Sequence, residues 1–162
     1  MSEHDDPYER LRPRSPTPVD ELCLCAGSPP IMLQAHLSSN PLSCIDCNLE
    51  VPPERVRLSR ELCDGLASWR QFHDCFFNLW LDSCEFEAWA KAQLEDPASA
   101  VNVRGRALVA ELNDVHRAFY WWFRDSGEDG YDVPLSRCPV CQRALVEHHG
   151  RGACLTCSLV IG

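Results

Sequence analysis

The feature that most constrains this chain is a pair of CxxC motifs near its C-terminus. The pairs are Cys138 with Cys141 and Cys154 with Cys157, and twelve residues separate them. This is the ligand spacing of a four-thiolate zinc site, in which each tight turn directs two sulfurs at one ion. The intervening residues, with a turn at 150–152, predict a short β-hairpin. Because four thiolates fill a tetrahedral ion and leave no position for water, the predicted zinc is structural.

The CPVC motif by itself also fits a thiol oxidoreductase. Such a redox pair is found in a βαβ unit, and the last thirty residues of this chain are too short to form one. The spacing therefore favours the zinc ribbon.

A second cysteine set lies nearer the N-terminus. Cys23 and Cys25 are spaced CxC, Cys44 and Cys47 are spaced CxxC, and eighteen residues separate the pairs. The apolar segment 31–37 predicts a strand, and the Ser-Asn-Pro sequence at 39–41 predicts a turn. These features predict a second four-thiolate zinc module, with His36 as an alternative ligand.

Composition limits the compartment and the class of partner. The chain has an odd number of cysteines, 11, and its polar start MSEHDDPYER lacks the apolar core of a signal peptide. No segment reaches the ~18 apolar residues of a membrane span. We therefore expect a reducing cytoplasmic location, no membrane partner and metal thiolates rather than a disulfide framework.

Net charge weighs against general nucleic-acid binding. The formal charge is −9, and two four-thiolate zinc sites would make it about −13 because the thiols ionise on binding. Nucleic acids are bound by a basic surface that displaces counterions. Only the last segment of this chain, 131–162, is not acidic.

The middle of the chain has helical periodicity. Ser59 is a candidate N-cap for a helix over 59–95, within which Ser83 can cap a short continuation. A second helix is predicted over 98–124, so that the two form an antiparallel helical hairpin with an aromatic seam. Gly65 and Gly105 would allow the helices to approach closely. Apolar residues at steps of three and four support this prediction: Leu62, Leu66, Trp69, His73, Phe76, Trp80, then Leu108, Leu112, Val115, Phe119 and Trp122.

The sequence thus predicts a small, metal-stabilised α+β protein in which two zinc-ribbon modules flank an antiparallel helical hairpin. Its predicted parts are a disordered, proline-rich tail (1–20), an N-terminal zinc-binding β module (21–58), the helical hairpin (59–130) and a C-terminal zinc ribbon (131–162).

Several residues between the cysteine sets have two interpretations. Cys63, Cys75 and Cys84 lie on predicted helices and are expected to be buried as small apolar residues, with zinc ligation by Cys75 and Cys84 as the alternative. Tyr120 and Trp121 belong to an aromatic run that is expected to lie in the core. If they were exposed, they would be the best candidates for contacting a partner.

No catalytic motif is found in the sequence. A zinc deaminase requires His-x-Glu and Pro-Cys-x-x-Cys, and neither string occurs. HExxH, GxSxG and P-loop strings are also missing from the sequence. We therefore expect a protein that is not an enzyme.

The order of several strings resembles a known family over roughly residues 30–162. It resembles a bacterial family of Zn-ribbon-containing proteins of unknown function, for which nucleic-acid binding has been suggested. The resemblance implies bacterial origin and zinc at six cysteines, and it implies no reaction. The strings are Asn40–Cys47, Glu50–Pro52, Val103–Arg106, Tyr120–Trp122, Arg137–Pro139 and Cys154–Val160; the implied ligands are Cys44, Cys47, Cys138, Cys141, Cys154 and Cys157.

These observations predict a cytoplasmic, non-enzymatic zinc-binding adaptor or protein-interaction module, associated with nucleic-acid machinery through a protein partner. One alternative is direct nucleic-acid binding by the C-terminal ribbon. A second alternative is an enzyme that uses a cleft of the helical hairpin. The ribbon residues available to the first alternative are Arg137, Arg143, His148, His149 and Arg151.

Overall fold

One mixed sheet runs through this computed structural model, which describes residues 6–35, 38–125 and 135–161. The sheet has six strands within these residues, in the order β2-β1-β3-β6-β5-β4. The strands are β1 (Ile31–Leu33), β2 (Leu42–Cys44), β3 (Ala118–Trp122), β4 (Val146–His148), β5 (Arg151–Cys154) and β6 (Leu159–Ile161).

Strand β3 joins the two cysteine-bearing parts of the chain into this single sheet. β1 and β2 form an antiparallel pair on one side of it, and β4, β5 and β6 form an antiparallel group on the other. β3 is parallel to both neighbours: Ile31 of β1 pairs with Ala118, and Leu159 of β6 pairs with Tyr120. The two cysteine modules are thus coupled through backbone hydrogen bonds to one central strand.

The prediction of a second helix over 98–124 is wrong in its C-terminal half. Helix α3 ends at Leu112, and the aromatic run enters the sheet as β3. Asn113 makes the turn, since its side chain accepts from the Ala118 N–H (3.2 Å) and donates to the Ala118 carbonyl (2.9 Å). Aromatic residues favour a pleated, buried position, and pairing with strands on both sides outweighs the helical spacing.

The first predicted helix is confirmed as two helices, α1 and α2. Ser59 caps α1 as expected, accepting from the Leu62 N–H at 3.2 Å. Ser83 ends α1, and its hydroxyl accepts from the Phe86 N–H (3.0 Å) just before α2. The helices are α1 (Arg60–Asp82), α2 (Glu87–Glu95) and α3 (Ala100–Leu112).

Alternation along β3 separates two apolar clusters. Tyr120 and Trp122 belong to the main core with α1 and α3, whereas Phe119 and Trp121 belong to a smaller cluster with Met32. This is the period-two pattern of a strand with apolar groups on both faces.

Gly65 and Gly105 each lie where another element approaches the helix closely. A Cβ on Gly65 would lie 2.9 Å from Leu108 Cδ2, and a Cβ on Gly105 would lie 2.3 Å from Tyr120 Cε2 and 2.7 Å from Trp69 Nε1. Gly65 therefore admits α3 against α1, and Gly105 admits the central strand and the α1 tryptophan against α3.

Residues 6–20 pack on the folded body, which differs from the predicted disordered tail. Leu11 is fully buried in the main core. Arg10 forms an ion pair with Asp64 of α1 at 3.1 Å. An apolar anchor and a pairing charge thus hold a segment whose prolines and polar residues suggested disorder; residues 1–5 lie outside the described range.

Within the described ranges, no helix combines the length and apolar character that crossing a membrane requires.

Candidate metal centres

The N-terminal cysteine set converges on one point. The sulfurs of Cys23, Cys25, Cys44 and Cys47 all lie within 4.8 Å of one another. Cys23 and Cys44 are buried, and Cys25 and Cys47 are half-buried. Four sulfurs at ~2.3 Å from a tetrahedral ion would lie roughly 3.8 Å apart, so a small inward movement would complete a metal site.

The C-terminal set has the same arrangement. The sulfurs of Cys138, Cys141, Cys154 and Cys157 lie within 4.8 Å of one another, with Cys141 and Cys154 at 3.5 Å. The first cysteine of each pair is again buried and the second half-buried. The chain thus contains two four-cysteine clusters that could hold metal ions.

All three CxxC motifs share one backbone turn. The residue after the second cysteine of each motif has a positive φ: Asn48 at 60°, Gln142 at 61° and Ser158 at 49°. In two of them this residue's N–H donates to the carbonyl of the first cysteine, Asn48 to Cys44 at 2.9 Å and Gln142 to Cys138 at 3.0 Å. A left-handed residue closes the turn tightly enough to bring both sulfurs to one side.

The CxC half-site is held by hydrogen bonds to residues outside its own turn. The Cys23 N–H donates to the Glu50 carbonyl at 2.7 Å, which attaches the segment beside β2. The Arg55 guanidinium donates to the carbonyls of Cys23 (2.6 Å) and Cys25 (2.8 Å). Arg55 is thus a positioning residue for two predicted ligands. The sequence contained no local signal for this role, because the contact spans about thirty residues.

The environment of the thiols is uneven within each cluster. Burial raises the pKa of the Cys44 and Cys138 thiols. The backbone N–H of Arg143 lowers the pKa of the Cys141 thiol to about 7. Burial, followed by the neighbouring Cys141 thiol, raises the pKa of Cys157. Cys141 therefore ionises readily, whereas Cys138 and Cys157 ionise when a cation is present to hold them as thiolates.

The remaining candidate residues lie outside the clusters. Cys63 is buried as expected, and burial raises its pKa to about 11. The expected burial of Cys75 and Cys84 is wrong, since both are exposed, and neither joins a metal-ligating group within the described residues. Cys75 lies on the part of α1 that continues past the core, and Cys84 lies in the turn between α1 and α2. His36, the alternative ligand, lies outside the described residues.

The histidines and aromatic residues proposed for partner contacts are mostly engaged within the chain. His149 pairs with Asp46, and His148 packs on Phe119 with ring centroids 5.2 Å apart. Tyr120 is buried, which confirms the core assignment and excludes it as a partner residue. Trp121 is half-buried under the Arg151 guanidinium, which lies 5.0 Å from its ring centroid.

Comparison with known proteins finds no relative: no family model, no curated protein and no solved structure matches the chain.

Proposed function

We propose that this chain is a non-enzymatic adaptor that binds two structural zinc ions and acts by contacting a protein partner. The observation that carries the proposal is the convergence of two complete four-sulfur sets. A tetrahedral ion with four thiolates has no position left for a substrate or a water molecule. Such ions stabilise a fold and take no part in a reaction.

Zinc is the metal that fits the ligand set best. Four thiolates in a tetrahedral arrangement select zinc or iron among the common metals. Zinc ribbons use paired CxxC turns of the kind present at Cys138 and Cys154, whereas bound iron would give visible absorption. Elemental analysis of the purified protein should find close to two zinc ions per chain.

The positions of the clusters support a structural role. The first lies where β2 ends at Cys44, and the second brackets the β4–β5 hairpin and ends just before β6. Each end of the sheet has short strands of three or four residues, and such strands have little stability alone. An ion at each end would supply folding free energy that these strands lack.

We further propose that the chain belongs to the bacterial Zn-ribbon family that its sequence resembles, and that it works in the cytoplasm on nucleic-acid machinery. Six of the eight clustered cysteines are those that the resemblance implies. The acidic charge of −9 favours a basic protein surface over phosphates as the direct partner. Capture from the native host should therefore return a complex that survives nuclease and weakens with salt.

Direct nucleic-acid binding by the ribbon is the second candidate. The ribbon arginines are the groups available, but each already makes an internal contact: Arg137 donates to the Gln142 carbonyl (3.0 Å), Arg143 to Thr156 Oγ1 (2.9 Å) and Arg151 to Asn48 Oδ1 (3.3 Å). Phosphate binding would have to replace these contacts.

A salt titration against DNA and RNA separates the two candidates. Steep salt dependence of micromolar binding, with loss in an Arg143→Ala, Arg151→Ala variant, would support the ribbon. Absence of such binding would support the adaptor. The enzyme alternative stays a prediction, which an activity screen of the zinc-loaded chain would test.

A further inference from the structure

The ends of α1 and α2 extend beyond the core and carry an exposed apolar surface. The buried residues of α1 stop at His73, nine positions before the helix ends at Asp82. Beyond that point Leu81 is 59% exposed, and Phe86 and Trp89 are 49% and 52% exposed. We call this surface the aromatic tip, and it consists of Phe76, Phe77, Trp80, Leu81, Phe86 and Trp89.

The rings of the aromatic tip support one another. Phe76 lies 5.6 Å from Trp89 between ring centroids, and Phe77 lies 5.2 Å from Trp80. Phe123, which follows β3, contacts Trp80 at 5.0 Å. These contacts form two groups, one joining α1 to α2 and the other joining α1 to Phe123. Four rings of the tip thus pack on a neighbouring ring, rather than standing as separate exposed side chains.

Two hydrogen bonds of the Ser83 hydroxyl close the turn between α1 and α2. The Ser83 hydroxyl donates to the Leu79 carbonyl and accepts from the Phe86 N–H. Cys84 takes a left-handed conformation with φ of 55°. A surface that is ordered before binding loses less entropy when a partner docks.

Charge limits what can dock on the aromatic tip. Residues 76–90 include three exposed carboxylates, Asp82, Glu85 and Glu87, and no lysine or arginine. A second copy of this chain would bring the same acidic surface and a net charge of −9, so like-charge repulsion opposes self-association. Anionic lipid is opposed for the same reason. The complementary surface is apolar and basic.

The backbone of the tip limits the shape of the partner. Helix backbones already satisfy their own hydrogen bonds, so the tip offers side-chain contacts and no free strand edge. An amphipathic helix can satisfy such a surface, because it presents apolar side chains on one face and needs no backbone hydrogen bonds from its partner.

We propose that the aromatic tip is the docking surface for a basic amphipathic helix of a protein partner. Phe86 and Trp89 make the apolar contacts at its centre, and the surrounding carboxylates pair with lysine or arginine at its rim. The inference rests on the proposed adaptor role and assigns that role to a particular surface and partner chemistry.

The test uses the full, zinc-loaded chain and a fluorescein-labelled peptide of about 18 residues built from leucine and lysine as an amphipathic helix. Fluorescence anisotropy should show saturable binding. The Phe86→Ala, Trp89→Ala variant should weaken it by more than about tenfold, because exposed aromatic anchors dominate such contacts. Val115→Ala, at an apolar residue 57% exposed beyond α3, should change it less than about twofold.

A second pair of variants tests the charge. Glu85→Gln with Glu87→Gln should weaken peptide binding by about three- to tenfold. Glu111→Gln with Asp114→Asn removes the same charge from exposed positions at the end of α3 and should change binding less than about twofold. A leucine–glutamate peptide of the same pattern should not bind, and about 0.5 M salt should weaken the lysine peptide.

Several results would overturn the inference. The first is equal affinity of the wild-type chain for the glutamate and lysine peptides, and the second is an equal loss of peptide affinity in the tip and control variants. The third is binding of the wild-type chain to zwitterionic vesicles, lost in the tip variant, when the lysine peptide does not bind. Self-association removed by the tip variant, without peptide binding, would assign the surface to a second copy. Variants are compared only at equal circular dichroism and zinc content.

A partner-capture experiment tests the adaptor role separately from the docking surface. Capture of a nuclease-resistant partner that is undiminished in the tip variant would overturn the docking surface and leave the adaptor role in place. Loss of all partner capture by the wild-type chain would instead remove the adaptor role.

Discussion

The carboxylate of Asp46 contacts Nδ1 of His149, a residue 103 positions further along the chain. Asp46 lies inside the Cys44/Cys47 turn of the N-terminal cluster, and His149 lies at the β4–β5 turn of the C-terminal ribbon. Arg151 adds a second contact, donating to Asn48 Oδ1 at 3.3 Å. The CxxC turn of the N-terminal centre therefore touches the tip of the β4–β5 hairpin, which belongs to the C-terminal ribbon. Through this contact, metal binding at one centre can stabilise the other.

This contact predicts coupled metal release. His149→Ala should make zinc in the N-terminal cluster easier to remove, by about two- to fivefold in chelator concentration, since a partly exposed pair contributes little more than ~1 kcal/mol. Chelator competition with a colorimetric zinc indicator measures the effect. Glu147→Ala, at an exposed neighbouring position, is the control; an equal change in both variants would show that the pair does not couple the centres.

Loss of one cysteine ligand from the C-terminal cluster should unfold the strands next to that cluster and leave the helices folded. Cys141→Ser should reduce the zinc content from about two ions to one and remove hydrogen-exchange protection from β4, β5 and β6, because metal binding supplies the folding free energy of such modules. Protection of α1 should persist. Hydrogen exchange resolved by mass spectrometry tests this, and an intact ribbon in the variant would contradict the structural role of the ion.

Gly105 should be the least replaceable glycine of the helices. An alanine Cβ there would meet the rings of Tyr120 and Trp69 at 2.3 and 2.7 Å. Both rings are buried and hydrogen-bonded, Tyr120 to Asn102 Oδ1 and Trp69 to the Val101 carbonyl. Gly105→Ala should therefore lower the free energy of unfolding by about 2–4 kcal/mol.

Gly65→Ala is the matched comparison for that measurement. Its Cβ would meet only the end of the Leu108 side chain at 2.9 Å, which can rotate away. Urea denaturation of both variants, in the same zinc buffer, should show the larger loss for Gly105→Ala. A loss for Gly65→Ala that equals or exceeds it would contradict the packing around β3.

His73 should make stability depend on pH. Burial, followed by the nearby Arg70 charge, lowers its pKa to about 4 from an ordinary 6.5. Below pH 6.5 the His73 imidazole binds a proton in the unfolded chain but stays neutral in the folded chain. The stabilisation is therefore present above pH 6.5 and is lost as the pH falls toward 4, by about 1.3 kcal/mol between pH 7.5 and 5.5.

The His73→Gln variant tests this directly. It should be less stable at pH 7.5 through altered packing, but its further loss on going to pH 5.5 should be smaller than that of the wild type by about 1.3 kcal/mol. Denaturation at both pH values, with zinc in excess, gives the difference. Identical pH slopes in the two proteins would show that His73 titrates normally.

The candidate metal ligands could be predicted from the sequence because the signal is local. Two residues between cysteines suffice for a turn that places both sulfurs together, and the positive φ of Asn48, Gln142 and Ser158 shows that turn in each motif. The Ser59 cap is local in the same way. Arg55 and the contact between Asp46 and His149 gave no such signal, because they join residues about thirty and 103 positions apart.

The sequence by itself determined which cysteines cluster and where α1 begins, since the CxxC turns and the Ser59 cap depend on neighbours within a few positions. Only the tertiary structure decided that the run Phe119–Trp122 enters the sheet and that the segment around Leu11 packs on the core. A short apolar run fits a helix or a strand equally well, and here pairing with β1 and β6 selects the strand. That same pairing turns two separately predicted zinc modules into the two ends of one sheet.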